Sequence, residues 1–242
     1  MYEQLVEPIN TSEFDISKLS ELGLNSDAIT PKRLSATAGK NLVFIYLESL
    51  ESIYLEETIF PELTPNIKNF ITTGLSFTNM YQTNGTGWTI AGIVSSQCGT
   101  PLLDNNSIAN GNDILQADLL VNAICLGDVL NKAGYVQEYM GGASGKFAGK
   151  KSFFNNHKYD KISGLNDLVT DNNSYGWGIY DDALFQIAAK KYVQLADNNK
   201  PFNLTLLTLD THHPEGRPSP SCKAYAHRDD SILNAVYCTD QL

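Results

Sequence analysis

The sequence predicts an α/β fold built on a mostly parallel central sheet. Two apolar runs carry that prediction. "NLVFIYLE", Asn41 to Glu48, and "PFNLTLLTLD", Pro201 to Asp210, are short and rich in β-branched and aromatic side chains. The first holds six consecutive apolar residues, Leu42 to Leu47, with no polar alternation. Such runs describe strands covered on both faces, as central parallel strands are. The third observation is the chain between them, where helical patterns alternate with a further short strand.

The elements follow in order. Residues 1–40 are polar and weakly periodic, which suits an extension or linker ahead of a domain at 41–242. "LTPNIKNFITTG" reads as a helix: Thr64 suits the N-cap, Pro65 the first helical position and Gly74 the exit. Ile67, Phe70 and Ile71 share one face of it. "NGTGWTIAGIVSSQCGT", Asn84 to Thr100, places a glycine-rich turn directly before a helix. "NAICLGDVLNKAG" is a helix stopped by Gly134, and "YVQEYMGG" a short strand ending in Gly141 and Gly142. "GIYDDALFQIAAKKYVQLAD" is an amphipathic helix with Ile179, Leu184, Ile187, Ala188 and Val193 near one face. "PFNLTLLTLDTHHP" closes the series as a strand followed by Thr211, His212 and His213. No internal repeat stands out.

Composition narrows the functions. The chain has 242 residues, 42% of them hydrophobic and 18% charged, which allows one large domain or two small ones. A formal net charge of −10 argues against a broad nucleic-acid surface. It leaves room for a local basic pocket and an anionic substrate. No apolar run is long enough to span a membrane, and "MYEQLVEPIN" has no signal-peptide core. Any export or anchoring segment is therefore expected outside this sequence. Cys98, Cys125, Cys222 and Cys238 form no CxxC pair. Their order suggests Cys98 with Cys125 and Cys222 with Cys238, yet four cysteines allow three connectivities, and four free thiols remain open.

Three strands finish in polar or glycine-rich sequence: at Glu48, at Gly141-Gly142 and at Thr211-His212-His213. Ligands of open parallel sheets bind outside the carboxyl ends of the strands. Gly85 and Gly87 would let the backbone approach a ligand, and Thr89 would sit at a helix N-terminus, which favours anions. Thr89 is either an N-cap or a nucleophile. A nucleophilic threonine needs an activator, and a divalent metal held in part by Glu48 would serve. His157 and His227 read as surface residues, and Asp181 and Asp182 as helix-start acids that complement the dipole. Asp210 ends a strand and could be a ligand. Trp88 could pack against the nucleophile turn or stack on a glycosyl group, and packing is favoured.

"NLVFIYLESLE", "FPELTPNI", "GTGWTIAGIVSSQCGTPL" and "THHPEG" together resemble the bacterial phosphoglycerol transferase I family. That family modifies osmoregulated periplasmic glucans and is related to lipoteichoic acid synthase and the sulfatases, within the alkaline phosphatase superfamily. The resemblance runs from about Asn41 to the last residue. It implies a three-layer α/β/α domain and transfer of phosphoglycerol from a phosphatidylglycerol-type lipid to a periplasmic glucan. It implies Thr89 as nucleophile and metal ligand, Glu48 as metal ligand, and a divalent ion of the manganese type. His212, with His213 as second choice, would contact the phosphoglycerol group. The Trp-x-Arg element of the related synthase corresponds to "GKFAGKKSFF", so Ala148 and Lys150 stand at its two places, and Lys146 and Lys150 become phosphate-binding candidates. The catalytic domain would face the periplasm, with the whole protein anchored in the inner membrane by segments outside this chain.

The sequence departs from the family at one point. The resemblance implies an Asp-His pair that completes the metal site nearer the C-terminus, and no Asp-His dipeptide occurs here. The chain ends at "DDSILNAVYCTDQL", inside an amphipathic pattern, so the expectation is an incomplete domain without turnover of its own. A phosphodiesterase or sulfatase-type hydrolase is the alternative, although threonine cannot mature to the formylglycine of sulfatases. A non-enzymatic glucan- or anion-binding remnant is the other.

Overall fold

The computed structural model describes residues 37–83, 86–102, 120–170 and 172–242. The predicted extension therefore lies almost wholly outside the described residues, as does Gly85 of the glycine-rich turn. Four parallel strands make the main sheet: β1 (Leu42–Tyr46), β2 (Val136–Gly141), β3 (Lys161–Ser163) and β6 (Phe202–Leu207), in the order β1-β6-β2-β3. β4 (Ser174–Tyr175) and β5 (Gly178–Ile179) form a separate antiparallel hairpin. Among the described residues seven α-helices accompany them: α1 (Pro65–Thr73), α2 (Thr89–Cys98), α3 (Leu126–Lys132), α4 (Lys150–Asn156), α5 (Leu165–Leu168), α6 (Asp181–Ala196) and α7 (Ser231–Gln241).

The sheet is covered on two sides because neighbouring residues of a strand point to opposite faces. Tyr139 of β2 and Leu207 of β6 join Ile90, Ile93 and Val94 of α2 and Phe153 and Phe154 of α4 in one apolar cluster. Met140 of β2 and Phe202, Leu204 and Leu206 of β6 join Leu184, Ala188 and Leu195 of α6 in another. A third, smaller cluster seats α7 through Leu233 and Val236 against Leu63 and Tyr225.

Burial corrects three expectations. β6 is buried along its whole length, but β1 is not: Val43 is 40% and Ile45 47% exposed. An apolar run reports side-chain chemistry, not the number of layers that cover it, and among the described residues β1 lies at one end of the sheet. α1 begins and ends as its Thr64, Pro65 and Gly74 predict, yet it buries no residue, and Phe70 is 77% exposed. On α6 the inward positions are Leu184, Ala188 and Leu195, whereas Val193 is exposed and Ile179 belongs to β5.

Both suggested disulfides are present, Cys98–Cys125 and Cys222–Cys238. The first joins the last residue of α2, beside the left-handed Gly99 (φ 66°), to the N-cap of α3. Among the described residues no helix is long and apolar enough to cross a membrane.

Candidate active site

The parallel pairing puts the carboxyl ends of β1, β6 and β2 along one edge. Glu48 follows β1 there, and three contacts from the segment after β6 fix its backbone. Its N–H donates to Thr208 Oγ1 at 2.9 Å, Thr208 N donates to Tyr46 O, and the Thr211 hydroxyl donates to the Glu48 carbonyl. The residue is half-buried, and its Oε1 accepts the hydroxyl of the neighbouring Ser49 at 3.1 Å.

Thr89 meets it. Trp88 is the N-cap of α2, in extended conformation, and Thr89 is the first helical residue. Because Thr89 follows the cap instead of forming it, its hydroxyl does not stand at the capping position. It donates instead to Glu48 Oε2 at 3.0 Å, across 41 residues of sequence. Ile90, Ala91, Ile93 and Val94, all buried, fasten the helix behind it. Thr89 is thus not the N-cap of α2. Trp88 is half-buried and packs on the α2–α4 cluster, as favoured.

Lys150 opens α4 and is buried despite its charge. Its Nζ donates to Phe147 O at 2.8 Å and lies 4.8 Å above the Phe147 ring. Burial draws its pKa down to about 8, and the negative charge of Glu48 acts in the opposite direction. Ala148, at the other place of the corresponding element, is buried with φ 53°. Lys146 is on the surface. His212 is half-buried two residues beyond Asp210, with its ring 4.2 Å from that of Trp177; His213 is exposed. The structure therefore joins Glu48 to Thr89, sets Lys150 within reach of the Glu48 charge, and ties the segment holding His212 and His213 to it through the His213 N–H, 3.4 Å from Ser49 Oγ, while Lys146 stays on the surface.

Two groups differ from their sequence readings. His157 is not a surface residue: it is 1% exposed, its Nδ1 lies 2.7 Å from Asp128 Oδ2, and its Nε2 lies 3.5 Å from Cys125 Sγ. Burial raises the Asp128 pKa, but hydrogen bonds from His157 and from the Cys125 N–H outweigh it, so the net direction is down. Asp181 does more than suit a helix dipole. It is fully buried, and its two oxygens accept from the N–H groups of Leu209 and Asp210 at 2.7 and 2.9 Å. Asp210 accepts from the Ser219 hydroxyl, while its Oδ1 has no partner among the described residues. Burial raises both carboxyls, and the Asp210 charge raises Asp181 further. His227, as expected, sits on the surface, 3.5 Å from Glu62.

The metal question has two candidate places. Glu48 and Thr89 offer two oxygen donors 3.0 Å apart, the separation of neighbouring ligands on one ion. A carboxylate and a hydroxyl suit a hard divalent cation, so these residues fit one. Cys98, Cys125 and His157 also lie within 4.8 Å of one another. Their sulfurs are joined to each other, and only a thiolate is a good metal ligand, so that trio does not fit.

Comparison with known proteins is consistent with this architecture. The sulfatase family model matches residues 40–242. The chain is 40% identical over 215 residues to phosphoglycerol transferase I of Xanthomonas campestris pv. campestris (strain B100), covering 84% of this chain and 30% of that protein. It thus spans about a third of the length of that relative. A protein in the alkaline phosphatase superfamily from Vibrio parahaemolyticus superposes with a TM-score of 0.69 at 23% identity, over 93% of this chain and 57% of that one. The lipoteichoic acid synthase LtaP from Listeria monocytogenes gives 0.64 at 17%, over 93% and 55%. At these identities the two structures show the fold.

Proposed function

The chain belongs to the sulfatase family, and from that premise we propose that its protein transfers phosphoglycerol from a phosphatidylglycerol-type lipid to a periplasmic glucan, with Thr89 as nucleophile. One observation carries the reading: the first hydroxyl of α2 is free of capping duty and is held against a carboxylate from another strand. The 40% identity to a phosphoglycerol transferase I supports the choice of substrate.

Thr89 Oγ1 would attack phosphorus and displace diacylglycerol, leaving phosphoglycerol esterified to the threonine. A sugar hydroxyl would then attack the same phosphorus and regenerate Thr89. Glu48 accepts the hydroxyl's hydrogen bond and so fixes the direction of its lone pairs. The N–H groups of the first turn of α2 face the phosphoryl oxygens and favour their charge. Lys150 and His212 supply further donors, Lys150 as a point charge without a bidentate fork. A divalent ion, manganese by the family resemblance, would be held by Glu48 and Thr89 and would supply Lewis acidity, easing loss of the hydroxyl proton. Two disulfides fit an oxidising compartment, and a periplasmic domain on a membrane-anchored protein is part of the same reading.

The test is release of glycerol phosphate from a short-chain phosphatidylglycerol by the intact gene product with added manganese. Thr89→Ala should remove it. Turnover that survives this substitution overturns the nucleophile assignment.

A further inference from the structure

The chain has two tryptophans, and they are placed in opposite ways. Trp88 is packed. Trp177, at the tip of the β4–β5 hairpin, is 44% exposed although it is surrounded by aromatic rings. His212 lies 4.2 Å from it and Phe147, itself exposed, 5.6 Å from it in an edge arrangement. Phe147 carries the Lys150 ammonium over its face, so the aromatic shelf is continuous with the charged part of the site.

The shelf is built rather than accidental. A Cβ at Gly178 would stand 2.5 Å from Gly142 O and 2.3 Å from Leu209 Cδ2, so only glycine lets the hairpin press onto the ends of β2 and β6. That close approach brings Trp177 to His212. At the other end of the hairpin is a groove of about 420 Å³, lined by Asn172, Asn173, Asp182, Gln186 and Ser221 among others. Its walls mix the amides of Asn172, Asn173 and Gln186, the Asp182 carboxylate and the Ser221 hydroxyl with the apolar surface of Tyr180, Ala183 and Pro220. From Asn173 to Trp177 the extended chain reaches at most about 13 Å.

We infer that this hairpin is the docking track for the acceptor glycan, with a sugar ring against Trp177 and the following rings in the groove. The inference rests on the proposed transfer reaction and adds where the acceptor lies. A pyranose ring has one face of C–H groups, which suits an aromatic plane or the apolar surface of Tyr180, Ala183 and Pro220, and a rim of hydroxyls, which suits amides and carboxylates. A lipid acyl chain would use the apolar surfaces but would leave the amides and the Asp182 carboxylate without partners. An anionic chain would meet Asp182 and a protein of net charge −10. A neutral glycan meets neither cost.

The experiment measures binding of two probes to the intact gene product by calorimetry: a linear β-linked glucotetraose and dihexanoyl phosphatidylglycerol. Trp177→Ala should weaken glucotetraose at least tenfold, Trp177→Phe about threefold, and Gln186→Ala by an intermediate factor. The loss for dihexanoyl phosphatidylglycerol should be smaller than for the sugar. Trp177→Phe with wild-type thermal unfolding guards against misfolding of the alanine variant. A larger loss for the lipid, or glucotetraose affinity indifferent to Trp177, overturns the inference. Trp177-dependent sugar binding without Thr89-dependent release of glycerol phosphate would overturn the transfer reading and leave the docking track standing.

Discussion

Two acidic side chains follow neighbouring strands at the same edge of the sheet, and they have opposite fates. Glu48, after β1, keeps a half-buried carboxylate that accepts the hydroxyl of its neighbour Ser49 at one oxygen and that of Thr89, from another element, at the other. Asp210, after β6, is buried beside a second buried carboxyl, Asp181, whose oxygens are both taken by backbone N–H groups. Strand-end position is common to both. What separates them is the setting: a half-buried hydroxyl from another element beside Glu48, and the Ser219 hydroxyl in a buried pocket shared with Asp181 beside Asp210. The first arrangement leaves room for an ion or a substrate at the carboxylate. In the second, the Asp181 carboxyl locks the turn after β6 onto the start of α6.

The largest effect expected from breaking this contrast is on chemistry. Thr89→Ala should lower release of glycerol phosphate by at least about a thousandfold, because the attacking group itself is gone. Thr89→Ser, which keeps an oxygen at the site, should retain measurable turnover. Next comes stability. Asp181→Ala leaves the buried N–H groups of Leu209 and Asp210 without acceptors, at a cost of about 3 kcal/mol in denaturant melts. An unchanged midpoint would mean that the pocket admits water.

The pH dependence comes third. Both buried carboxyls have folded pKa values raised above their unfolded ones, Asp210 to about 6 and Asp181 to about 8. The folded state therefore holds protons that the unfolded chain has released. The pair's contribution is full below about pH 4 and is lost as pH rises through 6 to 8. Asp210→Asn should flatten that slope between pH 5 and 8 and raise stability at pH 8 by something on the order of 1 kcal/mol. An unaltered slope would place the titration elsewhere. The smallest expected effect sharpens the comparison from the other side. Glu48→Gln should leave the melting midpoint within about 0.5 kcal/mol of wild type, since its backbone contacts survive, while manganese binding measured by calorimetry falls sharply.

How far the residues themselves announced this differs from place to place. "PFNLTLLTLD" reads as a doubly covered strand and is one, because β6 has paired neighbours and apolar clusters that fill both its faces. "NLVFIYLE" reads the same way and is half open, since coverage depends on what packs against a strand and not on its own composition. The convergence of Glu48 and Thr89 was legible from strand order and from the turn that leads into α2. Three groups were not. His157 looks like a loop histidine in "NNHKYD", and its burial depends on Asp128, 29 residues away. Asp181 carries the local signature of a helix start, which masks its contact with the segment after β6, 28 residues later. Trp177 has a glycine on each side in "YGWGIY", whereas Trp88 in "GTGWT" has one on its N-terminal side alone. A large aromatic between two glycines was the available signal.

The bond between Cys98 and Cys125 sits at the far end of the helix that begins with Thr89. Ten residues of α2 make a rigid arm about 15 Å long. The disulfide is its fulcrum, tied to α3. A tilt of about 5° at the fulcrum would carry the threonine oxygen about 1.3 Å from its carboxylate, an error of the size that costs enzymes about a hundredfold in rate. On the proposed reading, oxidation would act as a finishing step in manufacture: a chain whose thiols have not yet joined would hold its sheet and clusters and still lack the angular precision that attack by Thr89 requires.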